Sequence, residues 1–179
     1  GSPWPTHMVG HGDGMSGMVL AGGICAALLH RAMTGEALVV DSSLMGTAVW
    51  FNGLAIMAAR HGQTKREFRK AERPPPPDGV PADMVSALRQ IYQTKDFRFI
   101  NLLFLGDDDR DFVDLMQLIG RPELASDPRF ASPAARVQNS EPLHKELEKA
   151  LSADTVANWS DALEKSGVPA GAVNSLAQV

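Results

Sequence analysis

Two consecutive stretches, residues 16–33 and 44–61, read as helices that are apolar almost all the way round. An ordinary surface helix hides one stripe and shows water the rest, whereas a helix without a polar face has to be covered on every side. The remaining sequence offers less apolar partner surface than two such helices demand. The first is built of Ala, Leu and Met and stops at Thr34-Gly35, where a glycine suits the left-handed residue just past a helix end. Ala37, Leu38, Val39 and Val40 form a short β-branched and apolar run, which predicts a buried strand. Asp41, Ser42 and Ser43 then offer side-chain oxygens to cap the second helix. No strand precedes the first helix, so the chain is expected to be a piece of a longer protein.

Composition narrows the function classes. The 179 residues are 44% hydrophobic and 21% charged, enough for one large or two small globular domains. A net charge of -4 and a pI near 5.7 supply no positive field to gather nucleic acid or anionic lipid, so nucleic acid is not an expected partner. The single cysteine, Cys25, rules out an internal disulfide or a cysteine-built zinc cluster and fits a reducing cytoplasm. The longest greasy stretch, residues 15–29, contains three glycines and falls short of a bilayer span, so no membrane partner is expected either. Cytoplasmic localisation is the resulting expectation.

The middle of the chain changes character. Lys65, Arg66, Arg69, Lys70 and Arg73 precede four consecutive prolines, Pro74 to Pro77. Prolines lack backbone donors and favour an extended chain, so residues 63–81 read as a linker outside any packed element. The domains are then 1–62, a segment of a larger domain with a long helix, and 82–179, a small α+β domain. In the latter, residues 84–93 are of undecided type, and residues 97–104 are strand-like. Asp107 or Asp108 can cap a helix carrying Phe112, Leu115, Met116 and Ile119, with Gly120 beyond its end. Leu143, Leu147 and Leu151 mark another helix, and Val156, Trp159 and Leu163 a third, closed by Gly167. Ala172-Val173 predicts a last short strand.

The most unusual segment is Gly10-His11-Gly12-Asp13-Gly14-Met15-Ser16-Gly17. A carboxylate among four glycines at the entrance to an apolar helix has backbone N–H groups and the positive end of the helix dipole nearby, with nothing bulky to shield it. Those features suit a carboxylate that has to be reached closely by a bulky ligand and act as nucleophile or base. Local chemistry alone leaves open the simpler reading of Asp13 as an N-cap in a glycine turn.

The longer pattern adds a resemblance. Gly12-Asp13, Gly17, Leu20-Ala21, Gly23-Ile24, Ala26-Ala27-Leu28, Arg31, Thr34-Gly35, Val40-Asp41 and Ser43-Leu44 follow in order. They are joined by Tyr92-Gln93-Thr94-Lys95-Asp96, Ile119-Gly120-Arg121-Pro122-Glu123-Leu124, Asp127-Pro128-Arg129-Phe130, Arg136, Asn139, Trp159 and residues 167–173. This series resembles the class III CoA-transferase family of CaiB/BaiF type, which includes carnitine dehydratase-like CoA-transferases, formyl-CoA transferase and α-methylacyl-CoA racemase. The resemblance implies an α/β fold, α+β in the small domain, as a fragment of a two-domain protein in which residues 44–60 are a connecting helix. It implies acyl-CoA and carboxylic acid substrates, CoA as substrate with no prosthetic group, and an interlocked homodimer of the full-length protein.

In the family's transferases the aspartate at the position of Asp13 attacks the thioester, and CoA passes through an aspartyl intermediate. In its racemases the matching aspartate is an acid or base paired with a histidine from earlier in the chain. His11 does not occupy that histidine's position and takes no such role. Ala37 and Leu38 replace the glycine and glutamine usual after Thr34-Gly35, and the glycine-rich loop of formyl-CoA transferase has no counterpart. The family's nucleotide-binding region is absent, so the fragment alone is expected to be inactive, the alternative to an enzyme being a non-catalytic structural or oligomerisation fragment, and residues that hold CoA are unknown. The basic run 60–73 could approach CoA phosphates but reads as a solvated linker. Asp107, Asp108 and Asp109 point in different directions along the chain and assign no metal. Trp50, Trp159 and the methionines read as core, and Cys25, without a basic neighbour, as inert.

Overall fold

The computed structural model describes residues 4–5, 11–62, 68–75, 79, 86–104 and 109–178. It is mostly helical, with one small antiparallel sheet. The chain divides into two compact units: residues 8–65 with 174–179, and residues 1–7 with 66–173.

The helical unit begins with α1, His11–Thr34, which runs on through Gly22 and Gly23. It starts earlier than the apolar pattern indicates, because glycines in the first turn carry no side chain to report helical periodicity. At full length, Gly12–Thr34 matches a membrane-crossing helix in length and apolarity, with a mean hydropathy of 1.4. The expectation that the stretch falls short of a bilayer span is therefore corrected. The core helix of a larger soluble fold meets the same criterion. Gly35 takes the left-handed conformation after the helix, φ 78°. A Cβ on Gly23 would stand 2.8 Å from Val40 Cγ1, so this glycine lets the returning segment lie close to α1. Residues 37–40 pair with no strand among the described residues, and Leu38 and Val39 are exposed, so the expected buried strand is corrected: only Val40 lies against α1, at Gly23.

The expected helix over 44–61 is two helices, α2 (Leu44–Phe51) and α3 (Gly53–Arg60). Ser43 caps α2 by accepting from the Gly46 N–H at 2.9 Å. Asn52 interrupts the pair: its side-chain amide donates to Ala48 O at 2.8 Å, competing with the backbone ladder. Only Ser16, Thr47, Ile56 and Ala59 are buried in this unit among the described residues. Trp50 is 82% exposed and Leu54 91%, so Trp50 is not core within this chain, nor are Met18, Met33, Met45 and Met57.

The mixed unit holds the hydrophobic core. Strands β1 (Ile91–Gln93), β2 (Phe99–Leu102) and β3 (Ala170–Val173) form a sheet in that order, with Tyr92 opposite Ile100 and Ile100 opposite Ala172. A 3-10 turn, Ala87–Arg89, precedes β1. Helices α4 (Asp109–Leu118), α5 (Pro133–Gln138), α6 (Ser140–Leu151) and α7 (Val156–Ser166) complete it. The periodic positions meet as the spacing predicts: Phe112, Leu115, Met116, Leu143, Leu147, Leu151, Val156 and Leu163 share one core with Tyr92 and Ile100. Gly120 and Gly167 end α4 and α7 in the left-handed conformation. The capping candidates Asp107 and Asp108 lie outside the described residues, and α5 has no signal in the apolar periodicity.

Candidate active site

Asp13 sits in the first turn of α1, two residues beyond the helix start, and its residue is exposed. An N-cap lies outside the helical turn, so the capping explanation does not fit this position. A carboxylate there still gains from the unpaired N–H groups and the positive end of the dipole. No hydrogen bond or ion pair engages it among the described residues. Of His11 only the helical backbone is described.

The surrounding glycines are more informative. A Cβ added at Gly12, Gly14 or Gly17 would meet nothing within 4 Å. Glycine in a helix costs up to about 1 kcal/mol relative to alanine, and the packing of this unit does not require these three. Gly23 and Gly46 differ, since each would bring a Cβ within 2.8 Å of a neighbour. Among the described residues no side chain covers the glycine surface beside Asp13. One turn on, Ser16 is buried, and its hydroxyl has no partner among the described residues. Farther along α1, Val19 borders a cleft of about 280 Å³ shared with Ser42, Ser43, Gly46, Thr47 and Trp50.

The motif residues of the mixed unit are committed to structure. Asp96 Oδ1 accepts from the Thr94 hydroxyl at 2.6 Å and from the Val156 N–H at 3.2 Å, tying the β1–β2 turn to the start of α7. The Arg136 guanidinium, 4% exposed, donates to Phe130 O at 3.0 Å and to Asp109 at 2.6 Å, and lies 4.5 Å from the Phe112 ring centroid. Asp109 thus serves an arginine. No group of three or more metal-ligating side chains is brought together among the described residues. Trp159 donates its indole N–H to Leu151 O at 2.9 Å and packs on the core. Cys25 is exposed and unpaired.

Residues 68–75, expected to be an unpacked linker, are held to the mixed unit. The Gln93 side chain donates to Arg69 O at 2.8 Å and accepts from Ala71 N–H at 3.0 Å, and Arg73 pairs with Glu141 at 2.6 Å. A single polar side chain on a strand that reads as apolar gives little warning of this. Near these contacts His144, 3% exposed, stacks on Tyr92 with ring centroids 4.6 Å apart. Burial, and then the charge of Arg73, hold its imidazole down at about 4, and burial pushes the Tyr92 phenol well above its usual value.

A helical unit and a small unit of sheet and helices, in this chain order, align with solved structures. A hypothetical protein from Mycobacterium tuberculosis aligns over 98% of this chain and 43% of its own, with 28% identity and a TM-score of 0.50. A CaiB/BaiF family protein from Brucella suis aligns over the same shares, with 27% identity and a TM-score of 0.50. The model of CoA-transferase family III matches residues 2–179, and the chain belongs to that family. Acetyl-CoA:oxalate CoA-transferase of Acetobacter aceti is 32% identical over 93% of this chain and 39% of the relative. Succinyl-CoA:glutarate CoA-transferase of the mouse is 31% identical over 93% and 35%. The chain therefore spans about two-fifths of the length of the relatives it matches.

Proposed function

We propose that this chain carries the nucleophile of a CoA-transferase that moves CoA from an acyl-CoA donor to a carboxylic acid. The supporting observation is Asp13 itself, the carboxylate of the Gly12-Asp13 motif, exposed in the first turn of α1 beside glycines whose added Cβ would meet nothing among the described residues. In this reading the Asp13 carboxylate attacks the thioester carbonyl, releasing CoA thiolate and leaving a mixed anhydride. The thiolate then attacks the aspartyl carbonyl, freeing the donor acid and forming an aspartyl-CoA thioester. Attack by the acceptor carboxylate on that thioester frees the thiolate again, which takes up the acceptor's acyl group and restores Asp13. The dipole and the free N–H groups of α1 stabilise the oxyanion of each tetrahedral step. The names of the matched relatives favour transfer over racemisation.

More than half of each relative lies outside the matched part. CoA contacts and the cover over the exposed apolar surface of the helical unit then belong to the rest of the protein and to a second copy, as in an interlocked homodimer. By itself the 179-residue chain is inactive in this proposal, and calorimetry with CoA shows weak binding or none. The deciding experiment uses the longer protein that contains this sequence. Hydroxylamine traps an acyl-enzyme formed from acyl-CoA, and Asp13→Ala abolishes the trapping; undiminished trapping refutes the assignment. Deuterium exchange at the α-carbon of a branched acyl-CoA, without any acceptor acid, points instead to the racemase.

A further inference from the structure

Residues 68–75 touch the mixed unit at three places. The Phe68 ring lies 5.8 Å from the Arg98 guanidinium, Gln93 grips Arg69 O and Ala71 N–H, and Arg73 pairs with Glu141 on α6. Two of the three anchors bracket one buried aromatic pair. Tyr92 is the strand neighbour of Gln93, and His144 lies three residues, one helical turn, beyond Glu141. Among the described residues His144 Nδ1 is buried with no hydrogen-bond partner, so the ring has a nitrogen able to take a proton and no acceptor bonded to it.

The geometry points to residues 68–75 being an acid-released strap, with Gln93 as its buckle and His144 as its trigger. A proton on His144 places a second positive charge beside Arg73 and gives Glu141 two cations to serve. Lifting the strap removes Arg73 and lets water reach the imidazole. Among the described residues the other charged groups on elements packed against α6 have contacts of their own. Arg89 donates to Phe104 O, and Arg136 holds Asp109 and Phe130 O. On α6 itself, Lys145 acts on Glu141, and Glu148 acts on the Tyr92 phenol. Tyr92 stays neutral throughout, because burial raises its value.

The sign follows from the depressed value of His144. The closed form holds its imidazole at about 4, and the open form returns it toward the ordinary value, so acid favours opening. Between pH 7 and pH 4 the opening equilibrium then rises by about a hundredfold.

The test is residue-resolved hydrogen exchange on the whole chain, each rate divided by its intrinsic rate at the same pH. The Ala71 amide is expected to be less protected than the sheet amides of residues 99–102 at every pH, showing that the strap opens without the sheet. Its protection falls by about a hundredfold from pH 7 to pH 4. In His144→Asn, and in His144→Phe, which keeps an aromatic ring on Tyr92, that fall shrinks to a few-fold. Gln93→Leu lowers Ala71 protection at pH 7 while residues 99–102 keep theirs. Equal protection of Ala71 and the sheet, or an unchanged acid dependence in both His144 variants, overturns the proposal.

Discussion

Arg136 offers the sharpest test of how the mixed unit is held together. Replacing it with methionine keeps most of the side-chain volume and removes the charge. Three contacts go: the bond to Phe130 O, the ion pair to Asp109, and the stack over Phe112. They are unequal. Asp109 is 66% exposed and remains hydrated without its partner, so that pair is worth at most about 1 kcal/mol. The Phe130 carbonyl loses a buried donor, which costs about 1–3 kcal/mol, and the stack adds about 0.5–2 kcal/mol. The expected loss is about 3 kcal/mol. Apolar replacement of a buried ion pair is often neutral because two charges escape burial, but here only one partner is buried and an uncharged carbonyl is left behind. With a urea slope of about 1.5 kcal/mol per M, the midpoint falls by about 2 M. Trp50→Phe provides the background, since it silences the tryptophan of the helical unit and leaves Trp4 and Trp159 in the mixed unit. A shift below about 0.5 M, or an equal shift from Asp109→Asn, refutes the reasoning.

Three further outcomes follow from local geometry. Phe97 holds φ 58° in the β1–β2 turn, where a non-glycine residue loses about 1 kcal/mol; Phe97→Gly is expected to raise the urea midpoint, and a fall shows that the ring's packing matters more. Gly17→Ala fills open space in a helix and should stabilise the helical unit by about 0.5–1 kcal/mol, whereas Gly23→Ala should destabilise it through Val40; calorimetric melting reads both, and matching signs contradict the distinction. Asp96→Ala removes the acceptor for Thr94 and Val156 and costs about 1–2 kcal/mol, while Asp96→Asn, which keeps an oxygen there, loses under about half of that. Equal losses in urea titrations would assign the role to the charge.

Legibility in this sequence followed how local each cause is. In the second half the apolar residues at helical spacing are covered by one another, so Leu143, Leu147 and Leu151 could be assigned to a core from their order alone. The glycines after α4 and α7 were equally readable, because a left-handed residue is a local requirement. Arg136 was not: its partners are the Phe130 carbonyl, Asp109 and the Phe112 ring, none marked by periodicity. The break at Asn52 depends on a side-chain amide competing with the ladder, which hydrophobic pattern does not record. In the first half, the pattern predicted covered helices and the structure shows Trp50 and Leu54 bare. The pattern records which side chains are apolar, not whether the unit has the surface to cover them. Apolar side chains exposed on several sides of α1 and α2 cannot be satisfied by residues 8–65 and 174–179, and the open surface at Gly12, Gly14 and Gly17 lies on the same helix as Asp13. In the proposed function the helix that carries Asp13 is completed by surface from the rest of the protein or a second copy, and the first turn of α1 is where that surface and a ligand meet.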